Sequence, residues 1–288
     1  MRTAPLHRIC ALAAALFAAA LPLGAQAHRA WMMPSSTILS GNEPSITVDA
    51  AVSDELFYFD HNPLNLDGLV VSAPDGSPVA LENQSKGRFR STFDLKLAQT
   101  GTYRLAVVGD SLNASYRLNG ETRRVRGTAE SLAKDIPAGA ETLGVSRMQS
   151  RTEVFVTSGK PSHKALQPTR SGLELVPVTH PNDLVSGEAA TFRLLLDGQP
   201  AAGIEVTVVP GGIRYRDKLG DFKATADAQG QFSVTWPVAG MYYLTATHGA
   251  LPRPSAAADG KAPQVPAGTL QQPLRRASYS ATLEVLPR

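Results

Sequence analysis

Histidine is the residue type through which this chain would do chemistry. Its 288 residues hold six His and a single Cys, which excludes a disulfide framework and any Cys₄ or Cys₂His₂ zinc site. His28 stands directly after Ala25-Gln26-Ala27, the small-residue pattern at which a signal peptidase cuts. Cleavage there would make His28 the first residue, and its α-amine and Nδ1 would then chelate one metal ion together. An α-amine pKa of roughly 7.7–8.0 lets a metal displace the proton near neutral pH. His61 is the best second ligand. It lies in Phe57-Tyr58-Phe59-Asp60-His61-Asn62-Pro63, where aromatic residues lead into a polar turn and Asp60 would orient the imidazole. His248 ends the strand read at Tyr242–Thr247 and is a candidate further ligand. Without cysteine, such a site must use imidazole, amine and carboxylate, a donor set suited to nickel, cobalt or copper.

Each histidine also has a plainer reading. His28 is whichever residue cleavage leaves first, His61 serves a surface turn, and His248 simply ends a strand. His180, before Pro181-Asn182-Asp183, and His163, in a Ser/Pro/Lys loop, read as structural or solvated. Met32 and Met33 would be soft ligands, but in an extended segment one of them points into the core. The sequence carries no H-E-x-x-H, G-x-S-x-G, phosphate-binding loop or dinucleotide fingerprint. Asp49, Asp54 and Asp60 lack EF-hand spacing, and the expectation is a binding protein, not an enzyme.

The leader that would expose His28 is read from the first 27 residues. Arg2, His7 and Arg8 open the chain, and Ile9 to Leu23 is a 15-residue apolar stretch, short of the roughly 20 residues that a membrane span needs. Cleavage after Ala27 removes the only cysteine and leaves 261 residues, with 26 basic and 25 acidic side chains. A cysteine-free, nearly neutral, exported chain is expected in a bacterial periplasm. No polybasic footprint points to nucleic acid, and no later segment approaches a membrane span.

The elements that must position these histidines are strands. Ser45–Ala50, Gly68–Ala73, Phe89–Leu95 and Thr102–Val108 are short runs with alternating polar and apolar stretches, separated by Gly, Pro, Asn and Asp. The second half repeats the design, with turns at Asp197-Gly198 and Asp227-Ala228-Gln229-Gly230. A pattern of G-x-F followed by G-x-Y-x-L occurs at Gly87 and Gly101, and again at Gly230 and Gly240. The expectation is an all-β protein of two antiparallel Ig-like β-sandwich domains, residues 28–110 and 171–288. Residues 111–170 read as a mixed connector with a helical turn or two at Glu130–Ile136, a strand at Glu153–Thr157 and a loop at Ser158–Ser162, and 250–273 as a mobile loop. Tyr279–Leu286 would pair with Tyr242–Thr247.

Six segments together resemble the DUF4198 family: His28-Arg29-Ala30-Trp31, Phe59–Leu64, Gly172–Val178, Asp197–Pro200, Thr225–Gly230 and Ala239–Tyr242. The resemblance covers nearly all of the chain beyond the leader. It implies an exported bacterial protein, some relatives being grouped with periplasmic components of nickel or cobalt uptake. Three functions therefore compete. The first is a periplasmic metal-binding protein that hands nickel, cobalt or copper to a membrane transporter or receptor. The second is a copper oxygenase built on an N-terminal histidine. The third is a metal-free structural or adhesive module.

Overall fold

The computed structural model describes residues 28–249 and 268–288; the leader read at 1–27 and most of the loop read at 250–273 lie outside them. The first half comprises β1 (Arg29–Pro34), β2 (Ile38–Leu39), β3 (Ser45–Ser53), β4 (Asn62–Pro63), β5 (Leu69–Ser72), β6 (Glu82–Lys86) and β7 (Ser91–Lys96). Then come β8 (Gly101–Leu118), β9 (Glu121–Gly127), the helix α1 (Ala129–Asp135) and β10 (Glu141–Ser158). The second half holds β11 (Leu173–Pro177), β12 (Ala189–Leu196), β13 (Gln199–Pro200), β14 (Glu205–Pro210) and β15 (Phe222–Thr225). It closes with β16 (Gln231–Thr235), β17 (Gly240–His248) and β18 (Leu274–Val285).

The fold is all-β, and the strands of the described residues form three sheets. One sheet runs β1-β3-β7-β6, with β4 on β3. The central sheet runs β15-β14-β17-β18-β10-β8-β5, with β9 on β8 and β2 on β10. The third joins β11, β12, β13 and β16. Among these strands pairing is antiparallel except where β10 meets β18 and β2. As the alternation predicts, Ile46, Val48, Val71 and Leu105 share one core, with Leu69 and Val107 packed at its margin. Leu194, Val206, Val208, Val234, Leu244 and Leu283 share the other. The β17–β18 pairing expected from the sequence is present, with Tyr242 opposite Leu283.

Residues 111–170 contain the helical turns and the Glu153–Thr157 strand expected of the connector, and they are also built into the sheets. They finish β8, form β9 and α1, and supply β10, which lies between both sandwiches. Successive side chains of a strand point to opposite faces. Val154 and Val156 therefore enter the first core while Phe155 enters the second. All of Arg151–Ser158 is buried, charged residues included. Arg151 donates to Glu153 at 3.1 Å, and the Tyr279 hydroxyl donates to the other Glu153 oxygen at 2.8 Å. Burial, with the Glu153 carboxylate beside it, pushes the Tyr279 phenol well above its ordinary value.

The repeated G-x-Y is a structural echo. Tyr103 donates its hydroxyl to the Gln99 carbonyl at 3.0 Å, and Tyr242 to the Val238 carbonyl at 2.8 Å. A tyrosine bonded back to the backbone just upstream is a feature of Ig-like sandwiches. Gly101 and Gly240, two residues before each tyrosine, take φ of +136° and +140°. Gly230, in the second repeat, is fixed by space as well: a Cβ there would stand 2.3 Å from the Leu194 carbonyl oxygen.

Candidate metal centre

Strand register brings the two leading histidines together. β1 pairs with β3 so that Arg29 faces Ser53 and Ala30 faces Val52, and one further step of that ladder sets His28 opposite Asp54. On the other edge of β3, Asn62 faces Val52, so one further step sets His61 opposite Ser53. β3 ends at Ser53, and the two rings meet beyond its end. Their centroids are 3.7 Å apart with planes 19° from parallel. His28 Nδ1 lies 2.7 Å from Asp54 Oδ1, and both side chains are about half exposed.

The loop between β3 and β4 is shaped from several sides. Asp60 was expected to orient an imidazole; instead its carboxylate accepts the backbone N–H groups of Asp54 at 3.1 Å and Glu55 at 2.9 Å. A carboxylate in the middle of a tight loop is drawn to free backbone donors first. The carboxylate on the imidazole is Asp54, which spacing did not single out. Trp31, fully buried, donates its indole N–H to Ser53 Oγ at 2.7 Å, and Ser53 donates on to the Glu55 carbonyl. Phe57 and Phe59 pack on the indole at 5.4 and 5.5 Å. Phe57 takes φ of +65°, a costly conformation for a bulky residue, and its ring rests beside Gly211.

The second sandwich holds the outer side of this loop. Arg214 donates to Glu55 at 2.7 Å and lies 4.2 Å over the Tyr58 ring. Tyr58 donates its hydroxyl to Tyr215 at 2.6 Å, a bond that raises the Tyr58 phenol above its ordinary value. Trp31 shares a cluster with Val209 and Tyr243 of the second half. Met32 points the other way into the first core, as one methionine of the pair was expected to do, while Met33 sits at the margin of the Trp31 cluster.

His28 and His61 are thus neighbours, and the donor types suit a transition metal. Ring-nitrogen lone pairs lie in the ring planes, so near-parallel imidazoles offer them side by side rather than converging. Among the described residues no three His, Cys, Asp or Glu side chains are grouped to hold an ion as they stand, so a shared ion requires one ring to turn. His248 closes β17 opposite Ala277 and forms no such group of three with the pair. His180 is buried: Asn182 N–H donates to its Nδ1 at 3.2 Å, which leaves Nε2–H to donate to Thr102 Oγ1 at 2.9 Å. Among the described residues no helix is long and apolar enough to cross a membrane, which says nothing of strands.

Several solved structures are similar to this chain. The D0–D1 domain of intimin is 11% identical, over 88% of this chain and 97% of that one, with a TM-score of 0.20. A DUF4785 family protein from Legionella pneumophila is 10% identical over 75% and 50% of the two chains, with a TM-score of 0.22. A D1–D4 ectodomain fragment of ICAM-5 is 10% identical over 90% and 51%, with a TM-score of 0.20. Scores this low carry no argument about function. No curated protein sequence matches the chain. The family model of DUF4198, described as a domain of unknown function, matches residues 25–250, and the chain belongs to that family.

Proposed function

We propose that this is a periplasmic transition-metal-binding protein, which hands nickel or cobalt, with copper as a further candidate, to a membrane uptake system. The observation that carries the reading is the 3.7 Å pairing of the His28 and His61 rings, contributed by segments 33 positions apart. The reading rests on export through the leader and on cleavage after Ala27. His28 would then supply its freed α-amine and Nδ1, and His61 one imidazole nitrogen. Three nitrogens on the outside of a rigid sandwich suit a cargo that must be released again. The partner is the metal ion and then a membrane transporter or receptor.

Native periplasmic protein, sequenced from its N-terminus and assayed for metal beside His28→Ala, tests the reading. The expected result is a chain that starts at His28 with about one metal per protein, lost in the variant. A start elsewhere, or metal that is retained in the variant, overturns the His28 site, and absence of metal from both proteins leaves the metal-free module. Oxygen-dependent peroxide formation with added copper would favour the oxygenase instead.

A further inference from the structure

We infer that Asp54 is a ligand of the same site, making the donor set three nitrogens and one carboxylate oxygen. The inference rests on the metal-binding reading above and adds to it a residue that the sequence did not single out. Three acids stand in the loop between β3 and β4, and two are engaged elsewhere. Asp60 spans two backbone N–H groups, and Glu55 is held by Arg214. Asp54 alone of the three meets a histidine, its Oδ1 2.7 Å from His28 Nδ1.

That separation is close to what one ion would impose. Two donors each about 2.05 Å from a metal and at right angles to one another lie roughly 2.9 Å apart. An ion would take the place of that hydrogen bond with little change in the separation of the two atoms, the imidazole and the carboxylate each turning toward it. Asp54 is also anchored from behind. Its amide donates to Asp60, and its carbonyl accepts Arg29 Nη1 at 2.8 Å, so the carboxylate is presented from a fixed backbone. Charge favours the same assignment. Neutral imidazoles and an amine leave a divalent ion its full +2, and a carboxylate halves it. The oxygen donor also broadens the site toward nickel and cobalt rather than the softest ions.

The test uses the chain beginning at His28, titrated calorimetrically with Cu²⁺, Ni²⁺ and Co²⁺, with Asp54→Asn, Asp54→Glu and His61→Ala beside the wild type. Asn keeps the size and a neutral oxygen but removes the anionic donor, so an Asp54 that stays off the ion predicts unchanged affinity and an unchanged Cu²⁺ paramagnetic resonance spectrum. The expected result is at least a tenfold loss of affinity in Asp54→Asn, altered copper hyperfine splitting, and partial recovery in Asp54→Glu. Affinity within twofold and an unchanged spectrum overturn the Asp54 assignment while the metal reading stands. Absence of one-to-one binding by the wild type overturns both. A second measurement needs no variant: Ni²⁺ added to the wild type shifts a carboxylate stretch in the infrared difference spectrum, and no shift overturns the assignment.

Discussion

Tyr103 and Tyr242 fasten equivalent corners in the two sandwiches, each by a hydroxyl bonded to a carbonyl four residues earlier. Each oxygen also accepts a backbone N–H, from Gln99 or Val238. Replacing either tyrosine by Phe removes both bonds and leaves the rest of the ring in place. Tyr103→Phe and Tyr242→Phe should each lower stability by about 1 kcal/mol, read from urea unfolding midpoints. A variant as stable as the wild type would show that its corner does not contribute. The repeat was legible as G-x-Y in two places, although the bond was not. The acids were less legible. Asp60 lies beside His61 in sequence and Asp54 lies seven residues away, yet it is Asp54 that touches a ring, that of His28. A residue's sequence neighbour in a strand points to the opposite face, while its ladder partner is fixed only by register.

At the scale of elements, β10 decides how the halves are joined. Short strands with one buried face carry alternation, and for that reason β3, β7, β12 and β16 could be read directly. β10 is buried on both faces over Arg151–Ser158; its Glu153–Thr157 stretch reads as a strand, but its full extent and its place between both cores do not. Its parallel partner β18 begins at Leu274, opposite Ser146, a pairing that no local pattern encodes. Phe155 is the side chain through which this strand enters the second core. Phe155→Ala should therefore cost about 3–5 kcal/mol. Amide exchange provides the specific check, because the loss of protection should fall on β11, β12 and β16 of the third sheet. Loss confined to β5 and β7 would contradict the assignment of Phe155 to the second core.

For the whole molecule, the junction beneath the two sandwiches is a chain of buried polar groups, and it makes stability depend on pH. His180 donates to Thr102 of β8, while Thr157 of β10 contacts Thr102 and donates to Asn182. Asn182 donates in turn to the Phe155 carbonyl at 3.0 Å. Burial holds the His180 imidazole below its usual value, opposed by a backbone hydrogen bond with Ser162 and by Asp183, while His163 lowers it further. Its Nδ1 must stay unprotonated to accept the Asn182 N–H. Above about pH 6.5 the folded and unfolded chains both keep this histidine neutral, and it exerts no pH dependence. As pH falls below 6.5 the unfolded chain binds the proton first, so stability drops by at most about 1.4 kcal/mol per pH unit until the folded pKa is reached. Asp94, Asp110 and Asp197 are held below the ordinary carboxylate range by hydrogen bonds from Thr47, Arg147 and Arg275 respectively. Their stabilisation is present above the unfolded value near 3.9 and is lost only below it, so the two windows are separate. Thermal midpoints measured from pH 7.5 to 5.0 should therefore fall on acidification. His180→Gln should be less stable at pH 7.5 and show a flatter profile. An equally steep profile in the variant would move the acid sensitivity to another group and leave the junction as a pH-independent fastening.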